Sequence, residues 1–292
     1  MSYRYILFLY FYLCICPVVW GWGFTAHKKI NRQAVFTLPA PLCTFYKAHV
    51  WQIIEYSINP DKRSHVLERE ASYHYIDLEY YARITPLQEI PCSWAEAQKR
   101  YTKDMLTAHG ILPWHIYRVK HALTAAFRKK DLSLIIKLSA DIGHYIADAH
   151  VPLHTSENYD GQLTGQEGIH GLWETRLPEL FLHEYDYFVG PATYIANLQQ
   201  RIWETVMATH KAVDDVLRLE QQLTARFSTT GKYCFVQRGC ALQRVYTEAY
   251  AYAYHTLLDG QVEKQMRASI KMIGDIWLTC WIDAGQPNLD AL

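Results

Sequence analysis

An all-α fold in one multi-helix domain is what this chain predicts, and three observations carry the expectation. Apolar residues recur at helical spacing through nearly everything after residue 25. Half of the 292 residues are apolar, enough for one sizeable core. No internal repeat, low-complexity run or linker divides the chain, so a single helical domain over residues 22–292 is the economical reading. The 22 tyrosines and nine tryptophans suit packed helices with aromatic seams.

The elements follow in order. "MSYRYILFLYFYLCICPVVWG" places Arg4 ahead of an apolar run, with Val19 and Gly21 small enough for the −3 and −1 positions of a cleavage site. Residues 1–21 therefore read as a signal peptide, which implies a secreted or periplasmic protein. The alternative is an uncleaved anchor, for which the run is short. Helices are expected over 26–38 and 42–57, parted by "LPAP". Residues 59–92, between Pro60 and Pro91, read as irregular. Helices over 94–108 and 113–130 come next, split by "HGILP". A helix over 132–150 ends at Pro152, which cannot continue it. The stretch 155–168, rich in Gly, Asn and Ser, reads as a loop. Another helix runs from near His170 to near Pro178, and a long one from 192 to 227. A loop over 228–241 leaves room for a short hairpin, and one or two helices fill 244–284.

Composition excludes some functions. A formal net charge of zero argues against a polybasic nucleic-acid surface, though not against nucleic acid held through metal ions. Cleavage after Gly21 would leave five cysteines, an odd number, with Cys234 and Cys240 spaced to close a small loop. No C-x-x-C pair exists, so a thiolate zinc site is not supported. No obligate protein partner is evident.

Fourteen histidines are the unusual feature, and "HYIADAHVPLH" concentrates three of them with an aspartate. His144 and Asp148 are four apart, so both side chains leave one helix face. His170 and Glu174 repeat the device in "HGLWE", and His154 lies between the two pairs. Imidazole and carboxylate without thiolate suit a catalytic zinc site. Upstream, Asp61, His74 and Asp77 are further candidates, and "WGFTAH" sets His27 five residues after Trp22. Cleavage after Gly21 would make Trp22 the N-terminus, whose amine can ligate a metal when deprotonated.

These motifs, in this order and spacing from residue 22 to residue 174, resemble the superfamily of bacterial zinc-dependent phospholipases C and fungal single-strand-specific nucleases. The resemblance implies a helical domain of that type with three zinc ions. One would take Asp61, His74, His144 and Asp148; a second, the amine and carbonyl of Trp22 with His27 and again Asp148; the third, His154, His170 and Glu174. Asp148 would bridge the first two. It implies a secreted phosphoric diester hydrolase in which a hydroxide shared by two zincs attacks phosphorus. Asp61 or Asp77 could orient the water as base, with a supporting role equally open to Asp77. Lys62 and Arg63 could contact phosphate or form a plain solvated pair. His150 has no ligand role in this scheme and reads as a neighbour of the ligands or a solvent-facing residue.

Two details pull the substrate in opposite directions. Glu174 is what the bacterial phospholipases carry, which implies phospholipase C action on a phospholipid headgroup with peripheral membrane contact. The short Trp22–His27 spacing is that of the nucleases, which implies cleavage of single-stranded nucleic acid or removal of a 3′-phosphate. A third reading, from another class, is a non-catalytic zinc-binding protein.

Overall fold

The structure, a computed structural model, describes residues 23–238 and 241–290. It is all-α except for one hairpin, as the periodicity predicts. The expected signal peptide over residues 1–21, Trp22 and Cys240 lie outside the described residues. No helix among those described is long and apolar enough to cross a membrane.

The chain opens with α1 (Phe24–Val35), α2 (Ala40–Ala48), α3 (Val50–Tyr56) and α4 (Asn59–Ser64). A 3-10 turn over Glu68–Tyr73 leads to α5 (Leu78–Ala82), then α6 (Trp94–Arg100), α7 (Lys103–Ala108), α8 (Leu112–Lys129) and α9 (Leu132–Asp148). After a 3-10 turn over Pro152–Thr155 come α10 (Ile169–Gly171), a π-helical turn over Leu172–Arg176 and α11 (Leu177–Phe181) as one continuous coil. Then follow α12 (Leu198–His210), α13 (Val213–Thr224), α14 (Thr229–Lys232), the strands β1 (Tyr233–Arg238) and β2 (Ala241–Tyr246), α15 (Glu248–Leu257) and α16 (Gln261–Asp283).

α9 is the central element. Asp131 caps it by accepting the Leu134 N–H at 3.1 Å, satisfying one of the free donors of the first turn. Its apolar residues Ile135, Ile136, Ile142 and Ile146 are buried, and it packs against α1, α3, α8 and α16. Pro152 ends it as expected, with Val151 extended before the proline. Gly143 sets how closely α1 can approach. A Cβ there would lie 1.9 Å from Asn31 Oδ1, so only glycine lets α1 lie directly on the last turns of α9.

Several expected boundaries move. The stretch 42–57 is two helices, broken at His49. Residues 59–92 are more ordered than expected: Pro60 starts α4 within its first turn, where its missing N–H costs nothing. The helix expected over 94–108 breaks at Tyr101, and Thr102 caps the second piece through the Met105 N–H. The helix expected from 192 begins only at Leu198, because the preceding backbone bonds to α16 instead: Thr193 N–H donates to Asp275 and Ile195 N–H to Thr279 Oγ1. It breaks again between His210 and Val213. The hairpin left open by the sequence is present, and its second strand takes residues 241–246, the last three of them expected as helix.

Candidate metal centre

Eight of the nine expected metal ligands are described, and all eight are buried around the C-terminal end of α9. α9 supplies His144 and Asp148, α1 supplies His27, α4 supplies Asp61 and the segment after the 3-10 turn supplies His74. His154 follows Pro152, and His170 and Glu174 come from the coil at 169–181. The π-helical turn carries Glu174, a local widening of the kind that often marks functional sites.

Asp61, His74, His144 and Asp148 form a four-donor group. His74 Nδ1 lies 3.0 Å from Asp148 Oδ2 and 3.6 Å from Asp61 Oδ1. His144 Nε2 lies 3.3 Å from each of those oxygens and 3.1 Å from His74 Nδ1. Donors bound to one zinc at about 2.0–2.1 Å in tetrahedral geometry sit roughly 3.3 Å apart, so these five edges match that polyhedron. His144 donates Nδ1–H to the Ser57 carbonyl at 2.8 Å, which turns Nε2 toward the group.

His154, His170 and Glu174 form a three-donor group. Glu174 Oε2 is 3.3 Å from His154 Nε2 and 3.0 Å from His170 Nε2. His154 donates Nδ1–H to the His74 carbonyl at 2.7 Å, again turning Nε2 toward the group. The return bond, Ile76 N–H to the His154 carbonyl at 2.9 Å, locks the two groups to one another.

Asp148 links the centre together. Its Oδ2 belongs to the four-donor group, while Oδ1 lies 3.4 Å from His27 Nε2. The His27 ring stacks on His144 at 3.9 Å. Gly23, where the described chain begins, donates its N–H to the Glu174 carbonyl at 3.2 Å.

The donors fit a cation. His27 Nε2, Asp61 Oδ2, Asp148 Oδ1, His154 Nε2, His170 Nε2 and both Glu174 oxygens are buried without a hydrogen-bond partner. A single such atom costs about 1–3 kcal/mol. Seven such atoms converge in one place, which suits a bound cation. Three sets of buried residues, His27 with Asp61 and His144, His74 with His144 and Asp148, and His154 with His170 and Glu174, bring their donors close enough to hold metal ions.

The electrostatics separate the two groups. Burial pushes the Glu174 carboxyl up to about 8, against the opposing pull of His154. Burial raises Asp148 too, but His144 and His154 outweigh it and hold the carboxyl well below its usual range. Asp61 is lowered in the same way, its burial outweighed by His144, His27 and His74. Burial depresses His144, yet Asp148 and Asp61 lift it well above the ordinary imidazole value. Burial brings His27 and His170 down to about 4, so both are neutral near pH 7, the form that ligates metal.

The remaining site expectations fare differently. Asp77 is not brought to either group: its carboxylate accepts from His109 Nδ1 at 2.9 Å, and burial pushes it up to about 6. Arg63 is engaged elsewhere. Its guanidinium donates to Glu70, Asp141 and Tyr145, a clamp behind the ligand helix, while Lys62 is exposed. His150 is not solvent-facing but buried, donating Nδ1–H to the Ile146 carbonyl at 2.8 Å. Two contributors had no motif to announce them. The Ser57 carbonyl is a backbone group, and Glu70 is one acid among many until Arg63 and Tyr145 are folded onto it. Gly143, directly before His144, was the readable signal for a close helix approach.

A scan against protein-family models found no match for this chain, and a search of curated proteins found none either.

Proposed function

We propose that the protein is an exported, zinc-dependent phosphoric diester hydrolase of the phospholipase C and single-strand nuclease kind. The observation that carries the reading is the division of the Asp148 carboxylate, one oxygen to the four-donor group and the other to His27. That division suits a pair of metals held by one acid, the arrangement used in two-metal phosphoryl chemistry. Asp61, His74, His144 and Asp148 would hold one ion. His27 and Asp148 would hold a second, completed by the amine and carbonyl of Trp22 once residues 1–21 are removed. His154, His170 and Glu174 would hold the third.

Bound zinc supplies Lewis acidity toward phosphoryl oxygen and brings the pKa of water near neutrality. The protein's own contribution is orientation. The Ser57 and His74 carbonyls orient the rings of His144 and His154, and Asp148 would offer one oxygen to each metal of the pair. Zinc is favoured over calcium or magnesium because five of the eight donors are imidazoles. Hydrolysis is favoured over a purely structural site because the group at Glu174 has three protein donors among the described residues, the pattern of catalytic rather than closed structural zinc.

The test uses mature protein beginning at Trp22, assayed for zinc content and for hydrolysis of phosphatidylcholine mixed micelles and single-stranded DNA in one preparation. Three zinc ions and chelator-sensitive cleavage of either substrate are expected. Three bound zincs with neither substrate hydrolysed would make it the zinc-binding protein of the third reading.

A further inference from the structure

The four-donor group draws its ligands from elements of unequal strength. His144 and Asp148 stand on α9, which runs for 17 residues. Asp61 stands on α4, of six residues, and His74 follows a 3-10 turn of six. Pieces that short do not hold their shape alone in water, so contacts with the rest of the fold must fix them. Arg63 makes such contacts to both. It lies two residues beyond Asp61, and its half-buried guanidinium reaches the 3-10 turn and α9 together. Nε and Nη2 donate to Glu70 Oε1, in the turn before His74, at 3.2 and 3.0 Å. Nη1 donates to Asp141 Oδ1, three residues before His144 on α9, at 3.0 Å.

Tyr145 carries the network to the ligands themselves. It directly follows His144, and its hydroxyl accepts from Arg63 Nη2 at 3.1 Å and donates to Glu70. Its ring stands edge-on to the His74 ring, with centroids 5.4 Å apart. Glu70, Asp141 and Tyr145 are buried, and Lys137 completes Asp141 by donating to Oδ2 at 2.8 Å. Among the described residues, none of the Arg63 hydrogen bonds goes to the segments that carry His154, His170 and Glu174.

We propose that Arg63 is the positioning residue of the four-donor group: its guanidinium clamps α4 and the 3-10 turn to α9 and so sets the distances among Asp61, His74 and His144 that a metal requires. Arginine suits the task because a rigid planar fork serves two acids and a hydroxyl at once, whereas an ammonium is a point charge. The role runs against the residue's own charge. A cation near a metal site repels the metal, so by charge alone the loss of Arg63 would tighten metal binding. A clamp predicts the reverse. The inference rests on the metal centre of the reading above, and on neither its substrate nor its turnover.

The experiment titrates cobalt(II) into mature protein stripped by a chelator, with a chromophoric chelator as competitor, and records the visible absorption of the bound ion, which reports coordination geometry. Arg63→Ala is expected to weaken at least one cobalt ion about 10-fold, the low end of what outer partners of metal ligands are worth. The visible absorption should change with it, while at least one other ion keeps its wild-type affinity. Arg63→Lys keeps the charge and loses the fork, and is expected to weaken the same ion. Tyr145→Phe removes one hydroxyl and keeps the ring; it should show the same pattern at smaller size, and it carries the test where Arg63→Ala does not fold. Unchanged or tighter binding in these variants would overturn the clamp and leave the metal centre standing. Equal weakening of every ion would also overturn it, since a general loosening of the fold spares neither group. Wild-type protein that takes up no cobalt would remove the metal centre and this role together. Cobalt uptake that depends on Arg63, with no phosphodiester hydrolysed by the zinc form, would keep this role and remove the hydrolase.

Discussion

The four-donor group around Asp148 and the three-donor group around Glu174 use the same His-x3-carboxylate device, yet their acids are in opposite states. Asp148 is surrounded by His144, His154 and His27, and its carboxyl is held well below the usual range. Glu174 is equally buried, but its partners do not overcome burial, and it rises to about 8. The difference is one of charge compensation. The first group pairs carboxylate with imidazolium and is nearly self-sufficient, whereas the second keeps its acid protonated near pH 7. A metal entering the second group therefore displaces a proton, and a metal entering the first displaces an existing ion pair. One helical motif has produced a bridging anchor in one place and an ion site with few donors in the other.

The largest expected effect breaks the first group. Asp148→Asn should remove two metals together, because one acid serves both, and leave the third at Glu174. Even outer partners of metal ligands are worth about 10–100-fold in affinity, so a bridging ligand should cost at least about 100-fold. Metal analysis by mass spectrometry of the native protein reads this directly. Three retained ions would dissolve the bridge and, with it, the contrast between the groups. Glu174→Gln comes next. It should release one ion and keep two, because the four-donor group does not use it. Loss of all three would show that the groups fold as one unit rather than as neighbours.

The contrast also explains what the sequence could disclose. Spacing along one helix is fixed by helical geometry, so the pairs His144/Asp148 and His170/Glu174 were legible from their numbers alone, as was the helical class of the fold. The way α1 delivers His27 to Asp148 was not, since it depends on a contact across more than a hundred residues. Gly143 was its only local trace: a Cβ there meets Asn31 Oδ1 at 1.9 Å. Arg63 looked free for phosphate because Glu70, Asp141 and Tyr145 reach it only in three dimensions. The start of α12 was misplaced for a similar reason. The backbone N–H of Ile195 goes to Thr279 on α16 rather than into a helix, and periodicity does not register that competition.

Gly143→Ala turns this point into the third prediction, smaller than the ligand changes. The added methyl forces α1 away from α9, with an overpacking cost of about 1–3 kcal/mol. Separation of α1 from α9 should weaken the His27 side of Asp148 and spare the group at Glu174. The expected result is a lower melting temperature and one weakly held ion out of three. An unchanged melting temperature with three tight ions would mean that the approach of α1 does not depend on glycine.

The smallest effect concerns the acid that joins neither group. Asp77 faces His109 and, unlike Asp61 and Asp148, gains too little from its partner to offset burial, so its carboxyl rises from an ordinary 3.8 to about 6. Because the folded value is the higher one, its contribution to stability is fully present below pH 4 and is lost as the pH rises through 6. Asparagine has the same shape and stays neutral throughout. The stability difference between wild type and Asp77→Asn should therefore be flat below pH 4, move in favour of asparagine between pH 4 and 6, and flatten again above about 7. Urea midpoints at unit pH steps would trace it, with zinc held in excess for both proteins. A difference that does not change with pH would place Asp77 in an ordinary aqueous setting. A shift in favour of aspartate would mean that the bond to His109 outweighs burial after all, which would make Asp77 a third charge-compensated acid alongside Asp61 and Asp148.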